Sequence, residues 1–191
     1  MFICGVDEVG RGPLAGPVVT AAVILPDAFK LEGLRDSKKM TSRAREHAYD
    51  VLTQTALAWS IGMASVEEID RINILRATQS AMVRAVMQLS LKPDEVWVDG
   101  RDTIDVPYPC TAYVGGDDQY TVIAAASVIA KVFRDRYMTE LSQAFPAYGF
   151  ERHKGYGTAA HLAALATEGV TVHHRKSFAP IQRLLENSRT G

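Results

Sequence analysis

Carboxylates recur along this chain at places where a sheet could gather them. Asp7 and Glu8 sit at the end of a Val/Ile-rich run, Asp99 closes the short run Glu95 to Val98, and Asp117, with Asp118 beside it, follows the run Thr111 to Val114. In open α/β sheets the functional crevice lies outside the strand ends, so acids delivered there from distant positions are candidates for one cluster. Clustered carboxylates repel unless a cation sits among them. Oxygen ligands without a Cys or His framework favour Mg²⁺ or Mn²⁺, and a pair of such ions can activate a water and stabilise the leaving oxygen of a phosphodiester. Each site also has a plain structural reading: Asp99-Gly100 is a common turn, Asp117 or Asp118 can cap the following helix, and Asp7-Glu8 can be a solvated strand end. Alternation sends Asp7 and Glu8 to opposite faces of a strand, so both reach one site only if the strand bends or ends there, a distortion that Gly10 would allow.

The elements that position these residues follow from periodicity and punctuation. Residues 2 to 8 and 17 to 25 have strand composition and are joined by the Gly/Pro-rich segment Gly10 to Gly16, as in a hairpin or a near neighbour of one. A helix capped by Thr41 or Ser42 extends to about Thr53, and Ala56 to Ala64 returns to strand composition. Ser65 with Glu68 resembles a capping box, after which Ile72, Leu75, Met82, Val83 and Val86 keep helical spacing to about Leu89, where Pro93 follows. Short strands at Glu95 to Val98 and Thr111 to Val114 precede a long helix with Val122, Ala126, Ile129, Phe133 and Tyr137 on one face. Shorter helices are expected near Thr158 to Thr167 and Pro180 to Glu186. Strands first in a meander and then alternating with helices predict a mixed α/β sheet flanked by helices, with Ile72 to Leu89 crossing over to the strand at Glu95.

The chain has 191 residues, 47% hydrophobic and 23% charged, which fits one globular domain able to support its own core. No apolar stretch approaches the roughly 20 residues that span a bilayer, and the N-terminus turns acidic too soon for a signal peptide, so the expectation is a soluble cytoplasmic protein with no membrane contact. Cys4 and Cys110 lie far apart in apolar sequence and read as reduced thiols. The net charge is -1, yet residues 131 to 191 hold nine basic and five acidic side chains against twelve and seventeen in residues 1 to 130. An acidic body with a basic tail suits a protein that collects carboxylates for metal and cations for a polyanion, although ordinary fluctuation produces such a split as well.

Two other chemistries are set aside. Gly10-Arg11-Gly12-Pro13-Leu14-Ala15 matches a dinucleotide-binding fingerprint, but a strand follows where that motif needs a helix N-terminus, and Asp7-Glu8 would repel the pyrophosphate. His153, His161, His173 and His174 show no zinc-ligand spacing and are assigned surface, phosphate or packing roles.

The segment from Asp7 to Val18, Asp-Glu-Val-Gly-Arg-Gly-Pro-Leu-Ala-Gly-Pro-Val, resembles the N-terminal signature of the ribonuclease HII family. Further blocks resemble it in the same order: Asp36-Ser37-Lys38-Lys39, Val98-Asp99-Gly100, Gly116-Asp117, Ala124 to Asp135, His153 to Thr158 and His174 to Phe178. The resemblance covers nearly the whole chain and implies a ribonuclease H-like mixed five-stranded sheet with a helical extension. It also implies an endonuclease that cuts the RNA strand of RNA-DNA hybrids and acts on single ribonucleotides in duplex DNA. By motif, Asp7, Glu8, Asp99 and Asp117 would form a metal-binding quartet for Mg²⁺ or Mn²⁺. Asp118 is a rival for the last place, and Asp117 is preferred because it follows a glycine at the family distance from the Ala-Ala-Ser block.

On the same resemblance, Gly10, Arg11 and Gly12 would approach the ribose and Tyr156 would stack on or hydrogen-bond to the ribonucleotide. A 2′-OH is both donor and acceptor, so a close-fitting polar site can separate RNA from DNA without reading bases. Ser37 joins the candidate substrate contacts. Lys38, Lys39, Lys131, Arg134, Lys154, Arg175 and Lys176 would hold backbone phosphates, which positions a duplex without reading sequence. The expected organisation is a single domain over residues 1 to 191, with residues from about 140 forming a helical substrate-binding part, acting as a monomer. Two competing functions are a non-catalytic hybrid-binding module and another nuclease or strand-transfer enzyme of the same fold. A binder has no need of four carboxylates beside the phosphate it holds, and an unrelated nuclease has no use for a ribose-fitting Gly-Arg-Gly segment.

Overall fold

Val- and Ala-rich strands that are buried on both sides form the centre of the molecule, described for residues 1–190 of a computed structural model. The strands are β1 (Ile3–Val9), β2 (Val18–Ile24), β3 (Ala58–Ala64), β4 (Glu95–Asp99) and β5 (Cys110–Tyr113), in the spatial order β3-β2-β1-β4-β5. β1, β2 and β3 pair antiparallel, whereas β4 joins β1 in parallel and β5 joins β4 in parallel. All seven residues of β2 are buried, as a strand covered on both faces requires.

Helix α5 (Thr121–Ala144) lies across one face with α1 (Ser42–Thr55), where Val9, Val19, Ala21 and Val23 meet Ala48, Leu52, Ala125 and Ile129. On the other face α3 (Ile74–Met87) packs Met82, Ala85 and Val86 against Cys4, Val6, Ala22, Ile24, Val96 and Val98. Both helices approach the sheet so closely that a side chain is excluded beneath them. A Cβ on Gly5 would lie 2.2 Å from the Val122 carbonyl oxygen, and one on Gly62 would lie 2.0 Å from that of Ala81. The remaining elements are α2 (Val66–Ile72), α4 (Gly116–Gln119), α6 (Phe150–His153), α7 (Ala159–Glu168) and α8 (Ala179–Asn187). The last three enclose a further apolar cluster of Leu14, Ala15, Met138, Tyr148, Phe150, Leu165 and Ile181, beneath the Gly/Pro-rich loop that follows β1.

The sequence-based elements recur, with one break and two half-matches. The helical run around Ile72 is two helices, because Asn73 takes φ 74° and its side chain caps α3 through the Arg76 N–H. Periodicity continues through such a break because both helices bury the same side of the sheet. Ser65 caps α2 by accepting from the Glu68 N–H, but the Glu68 carboxylate turns to Arg84 at 2.7 Å instead of completing a capping box. A short helix, α4, precedes the long one, and its first turn carries Asp117 and Asp118. Cys4 is buried and Cys110 half-buried, both free thiols. Among the described residues no helix is long and apolar enough to cross a membrane.

Candidate active site

Parallel pairing of β1 with β4 in the register Val6↔Val98 sets Asp7 beside Asp99, one step further along each strand. The turn after β5, next to β4, returns Asp117 to the same place. Carboxylate oxygens of Asp7, Asp99 and Asp117 lie within 4.8 Å of one another. Asp7 is only 5% exposed, and its Oδ1 accepts the Glu8 N–H at 2.7 Å. Asp99 Oδ1 accepts the Asp117 N–H at 3.4 Å, so the first turn of α4 bears on the Asp99 carboxylate.

Burial raises the Asp7 carboxyl well above the usual range, and the charges of Glu8, Asp99 and Asp117 add to that. Burial likewise raises Asp99, against the backbone N–H groups of Asp117 and Gly116 and the Lys38 ammonium, which favour its charge. Asp117 is pushed up to about 6 by burial and then by Asp99, Asp36 and Asp118, with Lys38 opposing. Such a group resists ionisation until a cation arrives, which is what a set of hard ligands for a divalent ion does.

Glu8 is not part of that trio. β1 stays regular through Val9, pairing Glu8↔Thr20 and Val9↔Val19, so Gly10 does not bend the strand at the acids. Alternation therefore holds, and Glu8 lines a cleft with Thr78, Met82, Val98 and Asp99 of the trio, its carboxyl close enough to act on that of Asp7. Its Oε1 is 3.8 Å from Arg11 Nη1, and its Oε2 is buried with no hydrogen-bond partner. A buried orphan carboxylate oxygen beside three clustered acids fits a set of metal donors and would be costly otherwise.

Asp117 and Asp118 separate clearly. Asp118 is exposed and pairs with Lys39, while Asp117 joins Asp7 and Asp99. Asp36, which the sequence offers only within the Asp-Ser-Lys-Lys block, also comes within 4.8 Å of Asp117 and Asp118. Its carboxylate caps a 3₁₀ turn at Ser37–Lys39 by accepting the Lys38 N–H, and this turn leaves Lys38 exposed close enough to act on Asp99 and Asp117.

The loop after β1 presents Arg11 and Gly12 to solvent, and a Cβ on Gly12 would sit 3.7 Å from Tyr156 Cε1. Tyr156 is 38% exposed, so the Gly-Arg-Gly segment and the tyrosine share one accessible surface. Gly10 is different: it is buried at φ 91°, and a Cβ there would lie 2.2 Å from Arg134 Nε.

Three expected substrate contacts are corrected by burial. Arg134 is fully buried, and its guanidinium donates to the carbonyls of Pro17, Lys154 and Ala15 at 2.9, 2.7 and 3.0 Å. Arg175 is fully buried and donates to the carbonyls of Gly16, Arg11 and Gly10 at 3.0, 2.9 and 2.6 Å. Ser37 is 3% exposed, its N–H and hydroxyl both bonded to the Ser127 hydroxyl. These side chains hold backbone instead of facing a phosphate. Lys131 is half-buried and paired with Asp135 at 2.8 Å, whereas Lys176 is exposed.

Of the surface, phosphate and packing roles expected for the histidines, packing is the one that His161 and His174 take. His161 and His174 are fully buried with their Nε2 atoms 3.0 Å apart, and His161 Nδ1 is 2.9 Å from the Tyr156 carbonyl oxygen. His153 Nδ1 accepts the Gly155 N–H at 3.1 Å. No spacing rule would find them, because the ligand they hold is the chain's own backbone.

Acids from two adjacent parallel strands and the turn beyond a third, on a mixed sheet of this order, define a nuclease of the ribonuclease H-like fold. The ribonuclease HII family model matches residues 4–181. Ribonuclease HII of Thiobacillus denitrificans is 55% identical over 186 residues, covering 97% of this chain and 91% of that protein. That of Coxiella burnetii strain Dugway is 53% identical over 184 residues, covering 96% and 91%. The crystal structure of ribonuclease H2 from Pyrococcus horikoshii superimposes with a TM-score of 0.83 at 26% identity, covering 100% of both chains. The chain belongs to the ribonuclease HII family and is an endoribonuclease of the ribonuclease H type.

Proposed function

We propose that this enzyme hydrolyses the RNA strand of RNA-DNA hybrids and cuts on the 5′ side of single ribonucleotides in duplex DNA, leaving 3′-hydroxyl and 5′-phosphate ends. The observation that carries this reading is the convergence of Asp7, Asp99 and Asp117 within 4.8 Å, at the start of a loop whose exposed end meets Tyr156.

Asp7, Asp99 and Asp117, with Glu8 beside them, would hold Mg²⁺ or Mn²⁺. A pair of such ions supplies an activated water and charge stabilisation at the leaving oxygen. The remaining work belongs to the chain. Lys38, exposed at the rim, draws a backbone phosphate toward the acids, and Arg11 does the same from the loop. Gly12 lets the ribose approach Tyr156 with no side chain between, and Tyr156 packs against the sugar whose 2′-OH is read. The elements after residue 140 form the floor under that loop, which supports a substrate-binding role for the C-terminal helical part of a single domain.

Three labelled duplexes with Mg²⁺ or Mn²⁺ test the reading: all-DNA, DNA with one ribonucleotide, and RNA-DNA hybrid. Cleavage of the last two but not the first is expected. No cleavage of any would refute the proposal, and equal cleavage of all three would identify a nuclease indifferent to the sugar.

A further inference from the structure

Two buried guanidinium groups lie beneath the loop that meets Tyr156, and neither forms an ion pair with a carboxylate among the described residues. A charged group without water or a counter-ion is costly to bury, so its hydrogen bonds must offset a large desolvation penalty. Here every bond runs to a backbone carbonyl. Arg134 holds Ala15, Pro17 and Lys154, tying the loop to the segment that carries Tyr156. Arg175 holds Gly10, Arg11 and Gly16.

The Arg175 contacts fix the direction of two peptide units. No peptide in the described chain is cis, and in a planar trans peptide the N–H points opposite to the C=O. With the Gly10 and Arg11 carbonyls drawn inward to Arg175, the N–H groups of Arg11 and Gly12 point away from the core. Both residues are exposed, and neither N–H donates to any group of the described chain. A pair of preset, unused donors therefore faces the surface shared with Tyr156. A lysine could not replace this arrangement, because its single ammonium lacks the planar fork that reaches three carbonyls at once.

We infer that Arg175 is a specificity-determining positioning residue: by gripping the Gly10, Arg11 and Gly16 carbonyls it aims the Arg11 and Gly12 amides at the ribonucleotide. The inference rests on the proposed reading of the ribose at this loop, and it assigns the discrimination to a buried side chain that never touches substrate.

The test compares affinities, with Ca²⁺ present to prevent cleavage, for two duplexes that differ only by one 2′-OH. Wild type should prefer the ribonucleotide duplex. Arg175→Lys, verified as folded by circular dichroism, should lose about tenfold of that preference, the scale of one lost hydrogen bond, while affinity for the all-DNA duplex is kept. A purely structural role would lower both affinities together, so a folded Arg175→Lys with an unchanged preference overturns the inference. If that variant does not fold, amide exchange in the wild type with Ca²⁺ decides: the Arg11 and Gly12 N–H groups should be protected by the ribonucleotide duplex and not by the all-DNA duplex. Such protection supports the inference, and equal exchange with both duplexes overturns it. A wild type with no preference would instead refute ribose reading itself.

Discussion

Asp7 is nearly inaccessible to solvent and is surrounded by other acids, so its charge is useful only with a cation nearby. Asp7→Asn keeps the shape and removes one charge from a repelling group. Cleavage should fall below detection, while the unfolding midpoint measured without divalent ions should not drop; a large drop would show that Asp7 is structural. Tyr156 stands at the other end of the site. Tyr156→Ala should reduce cleavage at a lone ribonucleotide at least about tenfold while leaving the salt dependence of duplex binding unchanged, since that slope counts phosphate contacts. A weakened slope with equal losses on every substrate would remove the tyrosine from ribose reading. Asp7, Asp99 and Asp117 were legible in the sequence because strand ends of one sheet converge. Arg134, Arg175 and Ser37 were misread, because a string of letters does not distinguish a solvated cation or hydroxyl from one that is satisfied by backbone.

The elements place the acids by close approach. α5 rests on β1 at Gly5, two residues before Asp7, with no room for a methyl group. Gly5→Ala should destabilise by roughly 3 kcal/mol, at the upper end for overpacking, and should weaken cleavage through displacement of β1. Urea unfolding and a cleavage assay at one temperature check both effects; a neutral outcome would mean that the helix shifts freely. The break at Asn73 is the element-level feature that periodicity missed, since the apolar spacing of α2 and α3 runs through a residue of positive φ. The strand order was likewise beyond a single sequence: element types follow from pattern, but the parallel insertion of β4 beside β1 depends on the packing of α3.

At the scale of the molecule, buried polar groups hold the C-terminal elements to one another and to the loop after β1. His174 Nδ1 accepts the Thr171 N–H at 3.0 Å, and its Nε2 faces His161 Nε2, which leaves room for one proton between the rings. Burial, and then the neighbouring histidines, push His174 down to about 4. A histidine whose folded value lies below its unfolded value of about 6.5 stabilises the fold above that pH, and the contribution is lost as pH falls toward the folded value. Between pH 7 and pH 5 His174 alone should cost the fold roughly 2 kcal/mol, against the raised acids of the site, which take up protons in the fold and act the other way, so wild type should lose that much more stability than His174→Gln over the interval. An equally steep slope in the variant would assign the acid sensitivity elsewhere.

On the proposed reading, acids from β1, β4 and α4 act as one divalent-ion site for cleavage beside a ribonucleotide. Its most direct measurement is cleavage of a duplex with one ribonucleotide, titrated with Mn²⁺, for wild type, Asp99→Asn, Asp117→Asn and Asp118→Asn. Ion-dependent cleavage should persist in wild type and Asp118→Asn and vanish in the other two. Full activity in Asp117→Asn, or its loss only in Asp118→Asn, would contradict the site described.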